Sequence, residues 1–126
     1  MNKIVLFLVV AAAGAQSSAA APAAANPRTL PTYDWALRCT ALILATRKGP
    51  KDRSRKAAVS FDAALYWGLA TGDLAKQAGR SSDAMEADVD VAKARAKGEM
   101  KRGGKARDSA RRELRKCMAD VPPLDP

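Results

Sequence analysis

The sequence contains no histidine, and among its 126 residues it has only two cysteines, two tryptophans, two tyrosines and two phenylalanines. Without histidine the chain cannot assemble a Ser-His-Asp or Cys-His nucleophile, and it lacks the commonest metal ligand. A hydrolase built on paired carboxylates would need a cleft, which a helical domain this small seldom forms. We therefore expect no catalytic residues, no metal site and no cofactor.

The first 31 residues predict an exported protein. Met1-Asn2-Lys3 supplies a positive start, residues 4–13 form an apolar run, and Ala13-Gly14-Ala15 is a small-residue cleavage motif. The apolar run is well short of the ~20 residues that a membrane-spanning helix needs. We predict a signal peptide over 1–15, with cleavage possible up to 21, and an uncleaved anchor is the alternative. Residues 16–31, rich in Ala, Ser and Pro, are predicted to be a disordered tether, and the mature protein to be periplasmic or secreted without a transmembrane span.

The two cysteines, Cys39 and Cys117, are predicted to form one disulfide. An oxidising compartment and an even cysteine count both favour pairing, and two cysteines permit only one intramolecular bond. On the chain-entropy model, closing so long a loop contributes roughly 4 to 5 kcal/mol. A redox-active pair is the alternative, but the chain has no Cys-x-x-Cys motif to activate a thiol.

Apolar residues at helical spacing predict an all-α fold, a small three- to four-helix bundle over 32–121 followed by a Pro-containing tail at 122–126. Thr32 is a predicted N-cap, Gly72 a predicted left-handed cap, and Asp83 with Glu86 a predicted capping box. A separate short helix is predicted after Gly72. The predicted main helices span about 32–47, 52–71, 82–102 and 105–118.

The stretch from Val59 to Ala70 is predicted to be the middle of the core. It holds half of the aromatic residues of the chain, Phe61, Tyr66 and Trp67. A helix that is apolar over so wide an arc needs covering from more than one side. Gly68 within it is interpreted as a point where a neighbouring helix crosses closely.

Positive charge is concentrated in two segments, 47–56 and 93–116, and the net charge of the chain is +9. In the last predicted helix, Ala110, Leu114 and Cys117 point inward, so the basic side chains must lie outside. Such density attracts polyanions in a salt-dependent way. Plain solubility, anionic lipid headgroups or polysaccharide of the cell envelope, and nucleic acid are the alternatives. Nucleic acid is disfavoured, because the aromatic residues that stack on bases are predicted to be buried. The candidate residues for binding an anionic surface are Arg107, Arg111, Arg112, Arg115 and Lys116.

Three features resemble small, exported, helical two-cysteine proteins of Gram-negative bacteria of unassigned function: Cys39 in the first predicted helix, the Ala-Leu-Tyr-Trp-Gly segment at 64–68, and Cys117 before a proline-containing end. The layout is also similar to the acid-stress chaperones of the periplasm, which are small, helical and held by one disulfide. This chain departs from those chaperones in its longer cysteine spacing and its basic excess.

We predict a non-catalytic interaction protein with weak affinity for anionic envelope surfaces. The alternative is a periplasmic holdase chaperone, in which carboxylate protonation would be the trigger because histidine is absent. A small enzyme and a nucleic-acid binder rank below both.

Overall fold

The computed structural model describes residues 31–49 and 51–123, which form four helices: α1 (Tyr33–Thr46), α2 (Arg55–Gln77), α3 (Ser82–Arg102) and α4 (Gly104–Ala119). No strand occurs within these ranges, so the all-α prediction is confirmed. The predicted signal peptide lies outside the described residues, and so does the predicted tether up to residue 30. Among the described helices, none is both long and apolar enough to cross a bilayer.

Hydroxyl side chains begin three of the helices. The side-chain oxygens of Thr32, Ser54 and Ser81 each accept a hydrogen bond from the backbone amide three residues further on, at 3.1 to 3.2 Å. Each bond satisfies one of the amides that the first turn of a helix leaves without a partner. The Thr32 cap is as predicted. The Asp83 capping box is wrong, because Ser81 takes the N-cap position and places Asp83 inside the first turn.

α2 continues well past its predicted end. Gly72 lies in the helix interior, and the segment predicted as a separate short helix is the last part of α2. The left-handed residue is Gly79, with φ 70°. Its amide donates to the carbonyl oxygen of Lys76, and the amide of Arg80 donates to that of Ala75, which together form a Schellman motif. Ala75 is buried, so packing beyond Gly72 favours continuing the helix over ending it at the glycine.

α1 lies at the centre of the bundle and contacts each of the other three helices. Ala36, Cys39, Leu42 and Ile43 are all fully buried along it. α2 packs mainly against α1, with only a small contact to α3.

Only one side of α2 is covered. Its buried residues are Ala63, Trp67, Thr71 and Ala75, at intervals of four. On the opposite side, Phe61, Leu65 and Leu69 are 48%, 50% and 71% exposed. The prediction that residues 59–70 form the middle of the core is therefore confirmed for the arc that contains Ala63 and Trp67 and wrong for the arc that contains Phe61, Leu65 and Leu69, because the neighbouring helices cover only one of the two apolar arcs.

A disulfide and a tryptophan join the interior of the bundle. Cys39 and Cys117 are bonded, which links α1 to α4 across a sequence separation of 78 and confirms the predicted pairing. The indole Nε1 of Trp67 donates to the carbonyl oxygen of Cys117 at 2.9 Å, so α2 is tied to the same point. Buried hydroxyls of Thr40 and Thr71 lie 3.0 Å apart and hydrogen-bond across the α1–α2 interface.

The two interior glycines of α2, Gly68 and Gly72, provide a direct test of whether the helix is continuous past its predicted end. A Cβ atom at either position would meet no atom within 4 Å, so the predicted close helix crossing at Gly68 is wrong. We expect Gly72→Ala to raise the free energy of unfolding by about 0.5–1 kcal/mol, because alanine loses less backbone entropy in a helix interior. Urea unfolding followed by circular dichroism measures this change.

Gly79→Ala is the matched control, since Gly79 has the positive φ that alanine adopts poorly. It should lower the free energy of unfolding by about 1 kcal/mol. A Gly72→Ala protein that is less stable than the parent would contradict the continuous helix.

Candidate functional site

A cleft of about 880 Å³ opens at one end of the bundle, between the last turn of α1, the loop after it, the first half of α2 and the last turns of α4. This volume lies in the range typical of small-molecule sites, although so small a helical domain was not expected to form a cleft. Three helices supply its apolar lining: Ile43, Ala57, Phe61, Leu114 and Met118.

The rim of the cleft is cationic. Among the described residues that line the cleft, Asp52 is the only acidic one. Its Oδ1 accepts a hydrogen bond from the backbone amide of Ser54 at 3.0 Å, which lowers the pKa of Asp52 and helps to shape the turn into α2. The carboxylate of Asp52 therefore stabilises the loop between α1 and α2. The five basic residues of the rim are Arg47, Lys48, Arg53, Arg55 and Lys56, and none of them forms an ion pair with a described residue.

The five predicted anionic-surface residues all lie on α4. At about 100° per residue they occupy one half of the helix circumference, opposite the buried Ala110 and Cys117. Arg111, Arg112 and Arg115 are exposed. None of the five forms an ion pair with any residue in the described ranges.

Arg107 and Lys116 are more constrained than the other three. Arg107 is half-buried, and its guanidinium packs beside Gly103 at the start of the helix. Lys116 is exposed, but its Nζ lies 5.1 Å from the centre of the Trp35 ring in a cation–π contact. The structure thus brings the five predicted residues onto one side of α4, with Arg111, Arg112 and Arg115 the most accessible.

A charge network that sequence reasoning missed connects three helices. Arg38 of α1 donates from Nη2 to Glu99 of α3 and to Glu113 of α4, at 2.6 Å in both cases. Arg38 Nε adds a second bond to Glu113 at 2.9 Å, and Arg95 binds the other oxygen of Glu99 at 3.0 Å. Glu99 is buried, with 8% of its surface exposed. An arginine next to the inward-facing Cys39 is the one feature of the sequence that could have indicated this network.

The ionisation of Glu99 depends on these two arginines. Burial alone would raise the pKa of Glu99, but the hydrogen bonds and positive charges of Arg38 and Arg95 together lower it below its ordinary value. The network also engages the partly exposed carboxylate of Glu113. Asp108 is then the one other acidic residue inside α4 that could pair with the basic side chains of that helix.

A second acidic residue of α3 has a structural role at the other end of the bundle. Asp88 accepts a hydrogen bond from the hydroxyl of Tyr33 at 2.7 Å and pairs with Arg80 at 2.6 Å. Burial and the bond to Asp88 raise the pKa of Tyr33 above its ordinary value. Within residues 31–49 and 51–123, no group of three or more Cys, Asp or Glu side chains is placed to hold a metal ion.

No family model, curated protein or solved structure matches this chain. The function of the cleft and of α4 is therefore inferred from their own residues.

We predict that Glu99→Gln lowers the free energy of unfolding at pH 6 by roughly 1–3 kcal/mol, because Arg38 loses a charged partner in a buried site. The folded pKa of Glu99 is lowered, so its contribution is complete above the ordinary value of 4.5 and is lost as pH falls through the folded pKa. The difference between parent and variant should therefore shrink towards about pH 3. Urea unfolding at both pH values measures it.

Asp108→Asn is the control, since Asp108 is exposed and forms no ion pair with a described residue. It should change stability by less than about 0.5 kcal/mol. Equal effects of the two substitutions at pH 6 would show that the Arg38 network contributes nothing.

Proposed function

We propose that this protein is a non-catalytic interaction protein of the periplasm or extracellular space that docks on anionic lipid surfaces of the cell envelope. The observation that carries the proposal is the set of exposed cations on one side of α4, led by Arg111, Arg112 and Arg115, that form no ion pair with residues 31–49 or 51–123. The disulfide supports an oxidising location.

The excess of positive charge around α4 supports a positive electrostatic potential at its exposed surface. Glu113 is bonded to Arg38 and forms no ion pair with the exposed arginines of α4. The five basic residues on the cleft rim add positive charge near the last turns of α4. An unpaired surface cation near an anionic leaflet contributes about 1 kcal/mol of binding free energy. Several such side chains acting together produce weak, salt-dependent docking.

An enzymatic role is less well supported, although arginines do surround the cleft. Asp52, the one carboxylate among the described lining residues, accepts a hydrogen bond from the amide of Ser54. The sequence has no histidine to act as a base.

Vesicle binding tests the proposal. We expect the protein to sediment with vesicles that contain phosphatidylglycerol and not with pure phosphatidylcholine. Binding should be strong at about 0.01 M salt and lost at about 1 M, where the Debye length falls from about 30 Å to about 3 Å. Arg111→Gln with Arg115→Gln removes two charges, or about 2 kcal/mol, and should weaken binding at low salt about 30-fold.

A charge-matched control separates a local face from net charge. Lys76→Gln with Lys97→Gln removes the same charge from exposed positions on α2 and α3, and should leave most of the binding intact. Equal losses in both double variants would show that only net charge matters. Binding to an anionic polysaccharide but not to the vesicles would reject a lipid partner.

A holdase chaperone is a second candidate, because α2 carries the exposed apolar row Phe61, Leu65 and Leu69. Contiguous exposed apolar side chains are typical of surfaces that bind other proteins. Acid would also loosen the bundle, since protonation of Glu99 weakens its bond to Arg38 between α3 and α1.

The chaperone role predicts that the protein suppresses aggregation of an acid-sensitive client at about pH 3, where carboxylates are largely protonated. Leu65→Gln with Leu69→Gln should reduce this suppression by at least about half, since it breaks up the exposed apolar row. Light scattering of the client measures it. Val91→Gln is the control, because Val91 is 72% exposed on a different helix, α3. Undiminished suppression by the Leu65 and Leu69 variant would rule out this surface.

A further inference from the structure

We propose that the cleft between α1, α2 and α4 binds one free fatty acid, with its acyl chain on the apolar lining and its carboxylate at the cationic rim. This assignment is independent of docking on vesicles, because it concerns a dissolved single-chain molecule and a different set of basic residues.

The lining suits an acyl chain. Ala57 and Phe61 of α2 and Leu114 and Met118 of α4 form one apolar surface at the bundle end, and the fully buried Ile43 of α1 lies behind it. The hydroxyl of Thr46, which also lines the cleft, donates to the carbonyl oxygen of Leu42 at 2.8 Å within α1. It therefore does not require a polar partner from a ligand. Met118 adapts to a flexible chain, since its own side chain is unbranched and polarizable.

The rim suits a carboxylate. Arginine offers planar, paired donors that match the two oxygens of a carboxylate. The guanidinium of Arg47 lies 5.2 Å from the centre of the Phe61 ring, at the boundary between the apolar lining and the rim. This cation–π contact holds the charge at the place where the head of a bound chain would emerge.

The start of α2 strengthens the charge argument. Its first turn begins with Arg55 and Lys56 and contains no acidic residue, as is also true of α4, whereas α1 and α3 have Asp34 and Asp83 in their first turns. Cations at a helix N-terminus oppose the helix dipole. A bound carboxylate beside the rim would offset both the dipole and these charges.

The ligand class follows from the two halves together. A cationic amphiphile would be repelled by the rim, and a short carboxylate would leave the apolar lining in contact with water. The cleft volume of about 880 Å³ accommodates a small ligand that combines a long apolar tail with one anionic head.

Titration of the full, disulfide-bonded chain with laurate below its micelle concentration tests the proposal. Calorimetry gives the affinity, and ¹H–¹⁵N NMR shifts locate the site at the α1–α2 loop and the last turns of α4. Arg47→Gln with Arg55→Gln should weaken laurate binding at least about tenfold, because the rim loses two carboxylate donors. Dodecanol, which has the same chain length without the charge, should bind parent and variant alike.

Two further variants keep the test decisive. Ala58→Trp adds bulk at an exposed lining position without removing a charge, and should also weaken laurate binding. Arg111→Gln with Arg115→Gln should weaken laurate binding much less than the Arg47 and Arg55 variant does, since neither arginine lines the cleft. Circular dichroism confirms that each variant is folded.

Several outcomes would overturn the assignment. Laurate that binds no tighter than dodecanol, an Arg47 and Arg55 variant with unchanged affinity, or shifts confined to the exposed side of α4 would each reject the cleft as a fatty-acid site. Binding of lauroyl-lysophosphatidylglycerol but not of laurate would replace the free fatty acid by a lysophospholipid.

Discussion

The hydrogen bond from the indole of Trp67 to the carbonyl oxygen of Cys117 holds the bundle together at its centre. The disulfide from Cys39 meets the same residue, so α1, α2 and α4 are all joined at Cys117. Both hydrogen-bonding groups are buried, and losing one of them would leave the other without a partner at a cost of about 1–3 kcal/mol. With α2 and α4 fixed in this way, α1 is enclosed and α3 packs along it.

Four acidic side chains of the structure position helices or the turn before α2. Glu99 and Glu113 bind Arg38, Asp88 binds Tyr33 and Arg80, and Asp52 shapes the turn before α2. Basic side chains of α4 and of the loop between α1 and α2 are then left without acidic partners among the described residues. Ten of the 22 Lys and Arg residues of the chain lie on the cleft rim and on the outer side of α4, which is the physical basis of both proposed binding roles.

The two surfaces are adjacent because α4 contributes to both. Leu114 and Met118 line the cleft, while Arg111 and Arg115 are exposed on the same helix. The ligand that we propose for the cleft has an apolar chain and an anionic head. The partner that we propose for the outer side of α4 is an extended anionic surface. Long-range electrostatic attraction would bring an anionic ligand towards the cleft and an anionic surface towards α4.

Much of the local structure could be predicted from single residues. Thr32 as a cap, the break at Gly103-Gly104 and the pairing of Cys39 with Cys117 each depend on chemistry that a few neighbouring residues define. The site was predicted less well. The basic residues of α4 were identified, but the cleft was not, because its lining comes from three helices whose mutual placement no local pattern specifies.

By itself the sequence determined the helical periodicity, the cap at Thr32, the disulfide partners and the excess of positive charge, since these depend on residue identity and short-range spacing. Only the tertiary structure decided which apolar arc of α2 is buried, that Arg38 meets Glu99 and Glu113, and that Ile43, Phe61 and Leu114 share one cleft. The physical reason is that α2 has two apolar arcs of comparable character. The choice between them is made by the packing of Trp67 against Cys117, which lies 50 residues away in the chain.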